Sequence, residues 1–137
     1  MDIHLLEMER NAVEAIDCDK LHLAIDFFQN CVDLATEPSE KSYYLIWLAS
    51  VYEIDSQIGS AREILLRSIE IDPNPWSLVN AAFLEARFGK AEVAWKLVEE
   101  LSERFIRNSL FTGNHGRALG KLRADLAAIE VILGSRS

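Results

Sequence analysis

Proline and glycine are scarce in this chain, three and six among 137 residues. Few breakers leave little room for long irregular loops. Cysteine is scarcer still. Cys18 and Cys31 make no disulfide framework and no CxxC occurs, so both read as small helical residues in a reducing, cytoplasmic compartment. The histidines, His4, His22 and His115, share no metal-ligand spacing. No apolar run approaches the roughly 20 residues that span a bilayer, so no membrane association is expected. The opening MDIHLLEMER has no basic region before an apolar core, so it does not read as a signal peptide. Glycine-rich phosphate loops, nucleophile elbows and zinc-binding helix motifs are missing. Neighbouring carboxylates such as Glu7/Glu9 or Glu99/Glu100 point different ways on a helix and make no shared-proton dyad. The expectation is a protein without catalytic residues, cofactor or metal.

What is present is half hydrophobic and about a quarter charged, the balance of one soluble globular domain spanning residues 1–137. The net charge of −8 is unevenly spread. Residues 1–103 hold 20 acids against 8 Lys/Arg, and residues 104–137 hold 2 against 6. An acidic body repels phosphates, so nucleic acid is not an expected partner, whereas a basic protein is. The basic end (Arg104, Arg107, Arg117, Lys121 and Arg123) reads either as solvated or as a seam to the acidic body of a second copy, giving a homodimer.

Apolar residues recur at helical spacing nearly throughout. Leu5, Met8, Ala12, Ala15 and Ile16 predict a helix over 2–17, and Asp19 is placed to cap the next. Leu21, Ala24, Phe27 or Phe28, Cys31 and Leu34 predict one over 20–35. Pro38 breaks it, and Ser39 is placed to cap a helix over 40–55. That helix is apolar on two faces, Leu45–Leu48–Ala49–Tyr52 and Tyr43–Trp47–Ser50–Ile54, so one must meet something besides its own hairpin. A turn over 56–60 containing Gly59 leads to a helix over 60–71, stopped by Asp72-Pro73-Asn74-Pro75. Helices follow over 76–88, closed by Gly89, and over 91–106, with Ala94, Trp95, Val98 and Leu101 inward. After a loop over 107–116, Leu119, Leu122, Leu126, Ile129 and Leu133 mark a last helix over 117–133, and the tail GSRS is expected to fray.

Small residues pair at a fixed spacing of twelve: Ala12 with Ala24, Ala49 with Ala61, Ala82 with Ala94. The pairs recur at steps of 37 and 33 residues. Small side chains where two helices cross let the backbones approach, and Phe28, Leu65 and Val98 then fill the gaps between successive hairpins.

On these residues the chain resembles the tetratricopeptide repeat family. The closest stretch is 42–75, through Leu45, Leu48, Ala49, Tyr52, Ala61, Leu65, Ser68 and the Ile-Asp-Pro-Asn ending. Residues 76–106 are similar through Ala81, Ala82, Gly89, Ala94 and Leu101 but lack the closing proline, and residues 5–38 through Ala12, Ala24, Phe28 and Cys31. The resemblance implies an all-α superhelical stack of three helix-turn-helix repeats, about 2–38, 39–74 and 75–106, with a capping helix at about 117–133, seven helices in all. It implies a concave groove lined by first helices. Carried onto this sequence, the groove residues are Leu6, Arg10, Val13 and Asp17, then Tyr43, Trp47, Ser50 and Ile54, then Trp76, Asn80, Phe83 and Arg87. Members that clamp a peptide carboxylate use Lys, Asn and Arg there. This chain departs from that pattern, offering mainly aromatic and aliphatic side chains, with Arg10, Asn80 and Arg87 as polar anchors.

The function expected is binding of another protein, as an apolar helix or extended segment, in the manner of a bacterial secretion-type chaperone. The alternatives are an acidic immunity-type inhibitor of a basic toxin and a general adaptor.

Overall fold

The computed structural model describes residues 3–107 and 116–136. All the secondary structure among them is helical: α1 (Ile3–Asp17), α2 (Leu21–Leu34), α3 (Pro38–Ile54), α4 (Ile58–Ile71), α5 (Pro75–Phe88), α6 (Ala91–Leu101) and α7 (Gly116–Arg136), with a π-helical segment, Ser102–Arg107, after α6. The helices fall into two compact units, residues 1–73 and 74–137. The boundary lies at the Pro73-Asn74 stop, where the sequence reading ends its second repeat.

In the first unit α1 packs on α2, α2 on α3 and α3 on α4. Phe28, Leu45, Leu48, Val51, Val32 and Leu5 form the middle of its core. In the second unit α5 packs on α6 and on α7, which buries Leu122, Ile129 and Leu133. The six alanines at twelve-residue spacing are all buried, in helices that pack as the hairpins α1/α2, α3/α4 and α5/α6. Phe28, Leu65 and Val98 are buried beside them.

The repeat is visible in the turns. Asp19 and Ser56, 37 residues apart, are the two non-glycine residues with positive φ among the described residues, at 58° and 62°. Around them the same bonds recur. Asp19 N–H donates to the Ile16 carbonyl and Lys20 N–H to Ala15, at 3.0 and 2.8 Å. Ser56 N–H donates to Glu53 and Gln57 N–H to Tyr52, again at 3.0 and 2.8 Å. A residue in the left-handed region reverses the chain so that the last carbonyls of one helix receive N–H groups from the turn.

The third turn is one residue shorter and closes differently. Gly89 has φ −112° and is not left-handed. Gly89 N–H takes the Glu85 carbonyl at 3.0 Å, and Lys90 N–H donates to the Glu85 carboxylate, Oε2, at 3.0 Å. A side-chain oxygen thus does what a backbone carbonyl five residues back does in the first two turns. This accounts for a glutamate only 2% exposed, since a buried carboxylate must be hydrogen-bonded.

Helix starts differ from the expected ones. Asp19 is the turn's left-handed residue, and Lys20 occupies the cap position of α2. Glu37, not Ser39, begins α3, with Pro38 in the first turn and a capping box to Glu40. Pro38 takes the position where its missing N–H costs nothing. Gly59 lies inside α4, and the turn is made by residues 55–57. Asn74 caps α5, its Oδ1 accepting from Trp76 and Ser77 N–H at 3.0 and 2.9 Å. The helix expected over 91–106 changes to π-helical geometry at Ser102. The tail expected to fray continues as helix through Gly134 to Arg136. Residues 108–115 of the expected 107–116 loop, and the side chains of Arg107, Arg117 and Leu119, lie outside the described residues.

Two polar stitches fix α3. Lys41 Nζ donates to the Val32 carbonyl at 3.0 Å, a cation on the last turn of α2. Ser42 and Ser68, both fully buried, share a 2.7 Å hydroxyl contact between α3 and α4, and Ser68 Oγ also donates to the Ser42 carbonyl at 3.1 Å.

Candidate functional site

The candidate residues sort by unit. In the first unit α3 buries Ser42, Tyr44, Leu45, Leu48, Ala49 and Val51. Its opposite side leaves Tyr43 46% and Ile54 57% exposed. Trp47 between them is half-buried, stacked on Phe28 with ring centroids 5.2 Å apart and planes 14° off parallel. One side of the indole therefore belongs to the core and the other to the surface. Ser50 turns its hydroxyl back onto the Ile46 carbonyl at 3.0 Å, leaving that position with no strong polar demand. Tyr43 sits edge-on to Tyr44, with centroids 5.0 Å apart.

On α1 the four expected positions fall in line. Leu6, Arg10 and Asp17 are exposed and Val13 half-buried, and all four line one open depression together with Glu9 and Glu14. Sequence reasoning missed Glu9 and Glu14, although a helical wheel places them on the two edges of the stripe that the other four form. The charge of Glu9 also acts on the tyrosines of α3. Burial pushes the Tyr44 phenol well above its usual range, and the Glu9 carboxylate adds to the effect. The Tyr43 phenol is raised too, by burial first; Trp47 offsets part of that and Glu9 adds to it. Tyr43 is nearly half exposed overall. Burial likewise pushes the Cys31 thiol to about 11, with Glu9 contributing.

In the second unit Trp76 is 38% exposed and Arg87 is exposed, its guanidinium 4.9 Å from the centre of the Phe88 ring. Asn80 and Phe83 are half-buried. Asn80 Nδ2 donates to the Trp76 carbonyl at 2.7 Å, which occupies one of the groups expected to anchor a partner. Trp95, expected inward on α6, is 48% exposed, and Leu97 is buried instead. Leu34, expected inward on α2, is 44% exposed, and Val32 takes its place. Helix rotation about its axis decides such neighbours, and spacing alone does not.

Charge divides along the same boundary. Residues 1–73 hold 15 acids against 5 Lys/Arg, and residues 74–137 hold 7 against 9. In the basic part, Arg104 of the π-helical segment pairs with Glu100 of α6 at 2.9 Å, and Lys121 with Asp125 of α7 at 3.2 Å, each partner four residues away.

No protein-family model matches this chain, and neither does any curated protein at a significant level. None of the described helices is long and apolar enough to cross a membrane.

Proposed function

We propose that the chain is a non-catalytic protein-interaction module of the tetratricopeptide-repeat kind, acting in the cytoplasm. It takes an apolar helix or extended segment on the outward faces of α1 and α3, as a secretion-type chaperone does. One observation carries this reading. α3 is buried on one side and presents Tyr43, half of Trp47 and Ile54 on the other. Large apolar side chains in a row on an outward helix face mark an interaction surface more than scattered ones do. Aromatic anchors carry a large share of binding energy where proteins meet. The recurrence of one turn geometry 37 residues apart supports the repeat assignment.

The test is pull-down from a native-host lysate with wild-type bait and with Tyr43→Ala/Ile54→Ala bait. Both side chains are exposed, so their loss should leave the fold intact by circular dichroism. Trp47 is a poorer choice, because its truncation also unpacks Phe28. The expected result is loss of the partner from the double variant. Equal recovery of the same partner by both baits would refute this reading. An acidic inhibitor of a basic toxin, the second reading, is favoured by the 15-to-5 excess of acids in residues 1–73. It predicts capture that survives the double variant and is lost in high salt.

A further inference from the structure

The surface proposed above has a charge as well as a shape, and the charge identifies the chemistry of what it takes. Leu6 and Val13 on α1 supply apolar contact, and Glu9, Glu14 and Asp17 stand around them in the same depression, with Arg10 as the one cation. α1 and α3 both pack on α2, and Leu5 and Ala12 of α1 share one core cluster with Tyr44 and Leu45 of α3, so the acidic face of α1 and the aromatic strip of α3 belong to one packed unit. Arg10 is the only Lys or Arg in α1, which carries four carboxylates.

We infer that this α1–α3 surface takes a cationic amphipathic segment, its apolar side chains on Leu6, Val13 and Tyr43 and its Lys or Arg side chains on Glu14, Asp17 and Glu9. The inference rests on the interaction reading above and narrows it. A neutral apolar segment gains nothing from the carboxylates, and an acidic one is repelled by them. A cationic one gains attraction at the rim together with faster encounter at low salt. The like-charge excess across residues 1–73 acts in the same direction.

Three fluorescein-labelled model peptides, each about five helical turns long, test this by anisotropy. The first has leucines along one face and lysines elsewhere. The second keeps the leucine face and replaces lysine with glutamate. The third has the first one's composition with its leucines scattered. The full chain should bind the first peptide and neither of the others. Glu14→Gln/Asp17→Asn, two exposed positions, should weaken that binding roughly tenfold, as losing two exposed ion pairs allows, and Tyr43→Ala should weaken it as well. Equal binding of the glutamate peptide, or no effect of Glu14→Gln/Asp17→Asn, would overturn the cationic assignment. In that case a loss with Tyr43→Ala would leave the apolar interaction surface standing. Equal binding of the scattered peptide would reduce the effect to bulk charge and also overturn it, as would failure of the first peptide to bind.

Discussion

Glu85 offers the sharpest test of how the second unit is built. Its carboxylate is buried at 2% exposure and accepts the Lys90 N–H at 3.0 Å, closing the α5–α6 turn. Glu85→Ala removes that acceptor and leaves a cavity where the side chain lay. A donor stranded by loss of its partner costs about 1–3 kcal/mol. Some relief comes from water, because the bond is only part-buried, so the expected loss is about 2 kcal/mol. Glu85→Gln keeps an acceptor oxygen at the same reach and should lose less than half of that. Urea unfolding followed by circular dichroism gives the stability difference. Amide exchange gives its location, since the Lys90 N–H should lose protection in Glu85→Ala while Lys20 and Gln57, whose N–H groups are held by backbone carbonyls, should not. An alanine variant that unfolds at the wild-type urea midpoint with Lys90 still protected would refute the account of this turn.

Two further outcomes follow from the packing. Cys18 is exposed whereas Cys31 is buried with its thiol pushed up to about 11, so a thiol reagent at neutral pH should label Cys18 quickly and Cys31 only on unfolding, as peptide mapping would resolve; equal rates would contradict the burial. The same shift sets a sign. The folded chain holds the Cys31 proton up to about 11, while the unfolded chain releases it near 9.0. This contribution is therefore complete below pH 9 and is lost as pH rises through 11, as urea midpoints across that range should show. Ala61 is fully buried in the α3/α4 hairpin; Ala61→Leu should cost about 1–3 kcal/mol by overpacking, and an unchanged urea midpoint would mean that the helices do not approach closely there.

The sequence by itself determined the number and order of the helices, their bounds to within a few residues, and the buried alanine pairs. These are local properties. A 3.6-residue apolar period, a proline in the first turn of α3 and α5, and an asparagine before Pro75 act over a few residues of chain, and the alanines announce themselves by spacing. The two apolar faces of α3 were legible for the same reason. Only the tertiary structure decided which side chain of a near-equivalent pair turns inward. Val32 is buried and Leu34 is not; Leu97 is buried and Trp95 is not. A helix settles at the rotation that its neighbours' ridges permit, and no spacing rule contains those neighbours. It also decided that Trp47 stacks on Phe28 while staying half-buried, that α1 and α3 share one core cluster, and that Glu85 closes a turn from within. Each of these depends on groups brought together by packing, where desolvation makes a partner obligatory, and that demand arises only once the helices have met.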